Sequence, residues 1–414
     1  MLRMTTDSPR PGPLVWGLGI AQILAWGSSY YWPALFTAAV AAETGWSATV
    51  IVSGLTVGLS VSGILTRGLG HRMHRWGPRR VMVAGAMLLA AGLVGLGLAH
   101  HLMAYWLAWA VLGAGMACGL YDAGFATLAA VLKEKSALTI ARLTLLGGLA
   151  STVCWPISHF LIETIGWRAA CFVYAGLHVS VSLPIFLRLL PKQAVTPVAA
   201  ARAVAGPTAA ERPLMLTMGA ILVLQTLLSA TMAVHLPGLL QASGLSLTGA
   251  VAIAAWLGPA QVVARAVQTL LTARLTPLAT LFIAVGAAGC GLALLLLTLT
   301  VWSWPLLAVV GVLIYGAGNG LLTIAKGTLP LQLFGRERYA RVLGHLAAPS
   351  LIAQALAPLL LTWALTQTAM SGLVGGLVAL VAVSLGLTAV LGRQVKAAPV
   401  PSPLPAESLH RPSR

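Results

Sequence analysis

Arg265 lies in WLGPAQVVARAVQTLL, a stretch whose other residues are all uncharged. A guanidinium in such surroundings suits pairing with a carboxylate or another oxyanion through its planar fork of donors. The alternative is a side chain that snorkels along its own stem to an aqueous interface. The stretch YGAGNGLLTIAKG adds Tyr315, Asn319 and Lys326, and AQILAWGSSYYWPALF adds Gln22, Ser28, Ser29, Tyr30 and Tyr31. Amides, hydroxyls and rings of this kind either bind a small molecule or glue helices together. Lys326 also reads as an interface or gate cation. Tyr30 and Tyr31 are neighbours, so on a continuous helix they point about 100° apart and at most one faces a central cavity.

Asp122 and Arg142 also fall inside apolar runs, at comparable depths on what would be antiparallel neighbours. A buried ion pair serving as a clamp or gate is the expectation, since either charge alone is expensive there. Asp122 is also the one acid inside a run that could carry a coupling proton. His178 and His235 are further titratable groups, read either as proton shuttles or as packing residues with a local hydrogen bond. The four cysteines, Cys118, Cys154, Cys171 and Cys290, lie in apolar stretches without metal-type spacing and read as small buried hydrophobes. Neither a nucleophile–base constellation nor a phosphate-binding G-x-x-x-x-G-K-[ST] loop is present, so an enzyme or an ATP-driven pump is not expected, nor any cofactor or metal.

The elements that hold these residues are dictated by solvent. Of 414 residues, 58% are hydrophobic and 8% charged, with a mean hydropathy of +0.91. A soluble protein carries about 25% charged residues. Apolar runs of roughly 20 residues, the length needed to cross a bilayer core of about 30 Å, recur along the chain. The backbone must bond to itself in lipid, so the runs are predicted to be helices, in an all-α polytopic membrane protein. The net charge of +17 does not form a stripe or face, which argues against a nucleic-acid partner.

Charge, proline and glycine signals divide the chain into twelve spans, with edges good to about three residues. The first six are predicted at roughly 14–37, 47–67, 80–99, 102–124, 138–161 and 168–190, and the second six at roughly 214–237, 246–270, 276–298, 304–328, 341–364 and 371–393. An Ala- and Pro-rich linker, 191–213, separates the bundles 14–190 and 214–393; 1–13 and 394–414 are tails. Lysines and arginines gather in alternate loops: Arg72, Arg75, Arg79 and Arg80, then Lys133 and Lys135, Lys192, Arg202 and Arg212, Arg274, Arg336 and Arg338. The opposite loops, 38–46, 100–101, 162–167, 238–245, 299–303 and 365–370, contain none. That bias predicts that both termini are cytoplasmic. A shift of 199 residues lays ASGLSLTG over ETGWSATV, matching Gly244 to Gly45 and Ser246 to Ser47, as an internal duplication would.

Between spans 2 and 3 stands GHRMHRWGPRR, Gly70 to Arg80. It resembles the major facilitator superfamily signature G-x-x-x-D-R-x-G-R-R through Gly70, Arg75, Gly77, Arg79 and Arg80, with Pro78 as an extra or replacing residue. His74 stands where the signature has its acid. Gly115, Gly119 and Tyr121 in GMACGLYDAGFATL, the run LLGGLAS, the pair Gly45–Trp46 and the GWR of Gly166 to Arg168 resemble the branch of monocarboxylate transporters and oxalate–formate antiporters. The resemblance implies two bundles that rock about a central site lined in part by span 1, an anion-handling arginine on span 8 at Arg265, and a loop 2–3 that latches the inner face. With His74 in place of the acid, the latch is expected to be neutral or positive. Gly58, Gly63, Gly113, Gly115, Gly147 and Gly148 are expected at close helix contacts.

The resulting expectation is a secondary transporter of a small organic anion, a monocarboxylate or similar, with protons as candidate coupling ions. Gln22, Tyr30, Tyr31, Arg265, Tyr315 and Asn319 would meet substrate; His74, Arg75, Arg79, Arg80, Asp122, Arg142 and Lys326 would gate or couple. A drug or hydrophobic-cation exporter of the same fold is the alternative, preferring an aromatic cavity with an unpaired acid. The other expected partners are membrane lipids, the chain working as a monomer in a bacterial inner membrane.

Overall fold

The computed structural model describes residues 11–66, 68–132, 136–191, 211–271, 275–301 and 304–397. Arg3, Arg10, Lys133, Lys135, Lys192, Arg202 and Arg274, most of the linker and the C-terminal tail lie outside the described residues, as do the side chains of His74, Arg336 and Arg338. All regular structure among the described residues is helical, and nine helical stretches there are long and apolar enough to cross a membrane. The large exposed side chains are mostly apolar, such as Trp16, Phe160, Val263 and Leu270, as a lipid-facing surface requires.

Several spans are not straight rods. Span 1 runs Pro11–Ser28, turns through 29–32, and resumes as Pro33–Thr44 with proline in its first turn, where a missing N–H costs nothing. Span 2 is Ala48–Thr66. The arginine-rich segment expected as a loop is instead helical from Leu69, breaks at Gly77 (φ 81°, ψ 156°) ahead of Pro78, and continues as span 3 to Leu98. Span 4 is Leu102–Gly119 plus Tyr121–Leu132, with Leu120 extended between them. Span 5 begins as Ser136–Gly147 and resumes at Ala150. The helix Ala150–Leu177 reverses at Gly166 (φ 80°, ψ 161°), so that Tyr174 of span 6 returns to Ser158 of span 5, hydroxyl to hydroxyl at 2.7 Å. Span 6 then passes through a π-helical turn, His178–Ser182, into Leu183–Leu189.

In the second half, span 7 is Arg212–Ala242, span 8 is Leu247–Ala254 plus Leu257–Leu270, span 9 is Pro277–Thr300 and span 12 is Met370–Ala397. Helical structure is continuous over Pro305–Ala364, covering spans 10 and 11. This stretch must fold back. Lys326 reaches Thr226 at 3.0 Å and Thr362 reaches His235 at 3.2 Å, both on span 7. Those partners are nine residues apart, about 14 Å along span 7, whereas a straight helix from 326 to 362 would cover about 54 Å.

The predicted internal match has a geometric counterpart. Gly45 (φ 71°) and Gly244 (φ 95°) both end a helix in the left-handed region that favours glycine. Two residues later, Ser47 and Ser246 each accept a backbone N–H, from Val50 at 3.3 Å and Gly249 at 3.1 Å, starting spans 2 and 8. Among the glycines expected at helix contacts, Gly113 lies against the Gly58 backbone, where an added Cβ would sit 2.2 Å from the Gly58 oxygen; Gly63 faces open space. Three cysteines are buried as expected, but Cys290 is exposed on span 9.

Candidate functional site

The interruptions of spans 1, 4, 5 and 8 converge. Tyr121 begins the second half of span 4, and its hydroxyl donates to the Thr144 carbonyl of span 5 at 3.3 Å. Arg265 reaches the same carbonyl from span 8, Nη1 to oxygen 3.0 Å. Its other donors go to Gly320 O at 3.3 Å, Gln261 Oε1 at 3.2 Å and Thr323 Oγ1 at 3.3 Å. The residue is 9% exposed, so the guanidinium does not snorkel out, and all four contacts are neutral. Tyr121 and Arg265 thus meet at one acceptor.

A wall of rings runs from this point. Tyr121 stacks on Phe125 with centroids 5.1 Å apart and meets Trp26 at 5.0 Å; Trp26 meets Tyr30 edge-on at 5.3 Å, Tyr30 meets Tyr31 at 5.3 Å, and Tyr31 meets Trp155 at 5.6 Å. Because 29–32 is a turn, the helical 100° step does not set the directions of Tyr30 and Tyr31: their rings touch, with Tyr30 buried and Tyr31 half-buried. Gln22 is fully buried and committed within the protein: Nε2 donates to Gly119 O at 2.7 Å, and Oε1 accepts from Trp26 Nε1 at 3.1 Å. It positions Trp26 and is not free to meet a ligand.

Span 10 contributes a polar stripe. At 100° per residue, Tyr315, Asn319, Thr323 and Lys326 fall within about 80° of one another. Tyr315 is 1% exposed; its hydroxyl lies beside Ser229 but makes no well-aligned hydrogen bond among the described residues. Asn319 Oδ1 accepts from Ser229 at 2.8 Å, and the half-buried Lys326 donates to Thr226. No carboxylate lies within ion-pairing distance of Arg265 or Lys326 among the described residues.

The expected ion pair between Asp122 and Arg142 does not form; both side chains are exposed. Tyr121 and Gly124 face span 5, the latter toward Leu143, which turns Asp122 away from that contact, and Arg142 is rotated by about 100° from the buried Leu143. In the arginine cluster, Arg75 and Arg80 are exposed and Arg79 is half-exposed. Arg72 instead turns back and donates to the Leu65 carbonyl that ends span 2.

The two halves of the chain meet along spans 5 and 8. His159 pairs with Thr248 at 3.0 Å, Thr152 donates to Ala255 O at 2.8 Å, Gly148 abuts Gly258, and Thr144 meets Arg265. A second tie joins Thr56 of span 2 to Ala355 O of span 11 at 2.8 Å. Arg265 is therefore the rung of the span 5–8 seam nearest the arginine-rich loops.

One cluster was not anticipated. At the end of span 1 opposite those loops, Glu43 accepts from Arg168 Nε and from Trp167 Nε1, both at 2.6 Å, while Arg168 Nη1 donates to Gly97 O and Ala99 O at 2.9 and 2.8 Å. This ties spans 1, 3 and 6 together, and the Arg168 hydrogen bond holds the Glu43 carboxyl below the usual carboxylate range. A cavity of about 500 Å³ lined by Trp256, Val263, Val267, Ile283, Leu313 and Leu321 opens on the lipid-side face of span 8, away from Arg265. Its walls are apolar apart from Gln268 and Thr280.

Comparison with known proteins follows this geometry. The Major Facilitator Superfamily profile matches residues 18–344. No curated protein sequence matches the chain. Among solved structures, a mutant form of the nucleoside transporter NupG aligns with a TM-score of 0.72 at 13% identity, covering 91% of this chain and 99% of that one. A bacterial homologue of the human lysosomal transporter Spinster, inward-facing and unoccupied, aligns at 0.66 and 14% identity, covering 94% and 99%.

Proposed function

The chain belongs to the major facilitator superfamily, and is thus a multi-pass membrane transporter rather than an enzyme; on that premise we propose that its cargo is a small organic anion, a monocarboxylate or similar, bound at Arg265. The observation that carries this reading is charge without compensation. Arg265 and Lys326 sit in the membrane-spanning bundle bonded only to neutral groups, and a desolvated cation of this kind is stabilised by an incoming anion. Tyr121, which shares the Thr144 carbonyl with Arg265, and Trp26 against it supply flat apolar surface near the guanidinium, and the weakly engaged Tyr315 hydroxyl beside Ser229 could turn to a ligand. The bundles 14–190 and 214–393 would rock about this site, with both termini cytoplasmic and protons as candidate coupling ions.

One observation favours the alternative of a cationic or hydrophobic drug: Asp122, the neighbour of Tyr121 in sequence, makes no ion pair among the described residues. Proteoliposome uptake of labelled formate, acetate, lactate, uridine and ethidium, with and without a pH gradient, separates these readings. Saturable anion uptake that falls in Arg265→Gln and Lys326→Met supports the proposal. Uptake of uridine or ethidium alone overturns it, and anion flux indifferent to the gradient removes proton coupling.

A further inference from the structure

The π-helical turn in span 6 has a sequence cause and faces the break in span 1. Pro184 lacks the N–H that an α-helix needs and would crowd the carbonyl four residues earlier, and the wide turn His178–Ser182 relieves that conflict. Such turns cluster at functional sites. Here it presents His178, 1% exposed, whose Nε2 shares a hydrogen bond of 2.9 Å with Ser28 Oγ; its other ring nitrogen lies 3.3 Å from Ser182 Oγ, which fixes the ring. Ser28 is the last residue of the first half of span 1. On the neighbouring flank, Gly27 presses on Cys154 so closely that an added Cβ would overlap its sulfur.

We infer that His178 is a positioning residue: by holding Ser28 it sets the bend of span 1 and thereby the place of Tyr30 and Tyr31 at the site. The next residue shows what happens without such a partner. Ser29 Oγ donates to its own helix, at Ala25 O, 2.5 Å away, whereas Ser28 is engaged across to span 6. Beyond them only two backbone bonds cross the turn, Tyr31 N–H to Trp26 O at 3.0 Å and Trp32 N–H to Ser29 O at 3.2 Å. The bend is thus held from outside, by His178 on one side and by span 5 on the other, where Cys154 packs on Gly27 and Trp155 Nε1 donates to Tyr31 O at 3.4 Å. His178 is sealed from any ligand, so its influence passes through span 1 geometry alone and does not depend on which solute is carried.

The test is hydrogen exchange on the full chain in phosphatidylcholine nanodiscs, without substrate, comparing peptides covering 26–36 and 277–300. His178→Leu and Ser28→Ala should each speed exchange over 26–36 by about tenfold, the effect of losing one buried hydrogen bond, and leave 277–300 unchanged. His178→Gln, which can still reach Ser28, should restore most of the protection. Unchanged exchange over 26–36 in Ser28→Ala overturns the inference, and so does acceleration shared equally with 277–300. If His178→Leu does not fold, Ser28→Ala decides alone. None of these outcomes bears on the anion reading, which the uptake measurements address separately.

Discussion

Replacing Arg265 by Gln should abolish most transport while leaving the fold as stable as before or more so. Three of the four guanidinium contacts are 3.2–3.3 Å, long for charge-assisted bonds, which run about 2.7–2.9 Å. The cation is under-engaged, and an oxyanion would gain what these neutral acceptors do not supply. Hydrogen bonds to charged groups contribute about 1.5–3 kcal/mol each. Losing a bidentate contact, less one neutral bond that Gln can keep, amounts to about 3 kcal/mol, or roughly 150-fold in uptake efficiency. Arg265→Lys keeps the charge and loses the fork, so a loss nearer tenfold is expected. The stability effect has the other sign. Thr144 O retains Tyr121 and the Gly148 N–H, and a desolvated charge without a counter-ion is removed. Initial uptake rates in proteoliposomes and thermal unfolding in nanodiscs measure both. Uptake within about threefold of wild type would refute the assignment; a large fall in unfolding temperature alongside lost uptake would make Arg265 a structural residue.

The other predictions concern the seam, the outer clamp and the Tyr315 hydroxyl. Gly258→Ala places a Cβ 2.2 Å from Thr152 Oγ1 and 2.7 Å from Gly148 O, so it should pry spans 5 and 8 apart at a cost of about 2 kcal/mol. Oxidative cross-linking of a His159→Cys/Thr248→Cys pair should slow in that background, and an unchanged rate would show that the seam absorbs the methyl. Glu43, with its carboxyl held low by Arg168, contributes stability above the ordinary carboxylate value of about 4.3 and loses it as pH falls through the lower folded value. The carboxylate is half exposed, so Glu43→Gln should cost at most about 1 kcal/mol at pH 7, and its unfolding curve should converge with wild type below about pH 4. A gap that persists in acid would mean the charge is not what holds the clamp. Tyr315→Phe removes a buried hydroxyl that has no well-aligned bond beyond its neighbour Ser229, so stability should change little while the half-saturation concentration for the transported anion rises by about tenfold. An unchanged half-saturation would show that this hydroxyl meets nothing in the transport cycle.

The twelve spans were legible because lipid imposes length and hydropathy on each of them. The interruptions were not. Span 1 announces its break with Pro33, span 6 its wide turn with Pro184 and span 8 its break at Ala255 with Pro259 four residues on, whereas the glycines before Leu120 and Leu149 are compatible with a continuous helix and become breaks only in the fold. Depth along a helix can be counted from sequence, and azimuth cannot be counted across a break. That is why Asp122 and Arg142 were expected to pair and do not, and why the edge-to-face contact of Tyr30 with Tyr31 could not be counted from a helical step. Gln22 was recognised as unusual, but its closure on Gly119 and Trp26 depends on a partner 97 residues away. Glu43 and Arg168 lie 125 residues apart, and with Glu163 also in an outer loop nothing local says which acid meets the cation.

Arg265 occupies two roles that compete on the anion reading. As the last rung of the span 5–8 seam, it spends Nη1 on the Thr144 carbonyl and thereby ties the two halves. An anion drawing on the same fork at full strength takes donors from that tie, because one guanidinium cannot give short, aligned bonds to both. A ligand moves a conformational equilibrium only through a difference in its affinity for the two states. The difference here has a concrete source: in the closed seam the anion competes with a carbonyl, and in a parted seam it does not. Binding and seam opening would then be linked through one side chain, without a separate relay. The measurements on Arg265→Gln and Gly258→Ala should accordingly diverge: one removes both the anion's partner and the rung, whereas the other weakens the seam and leaves the anion's partner in place.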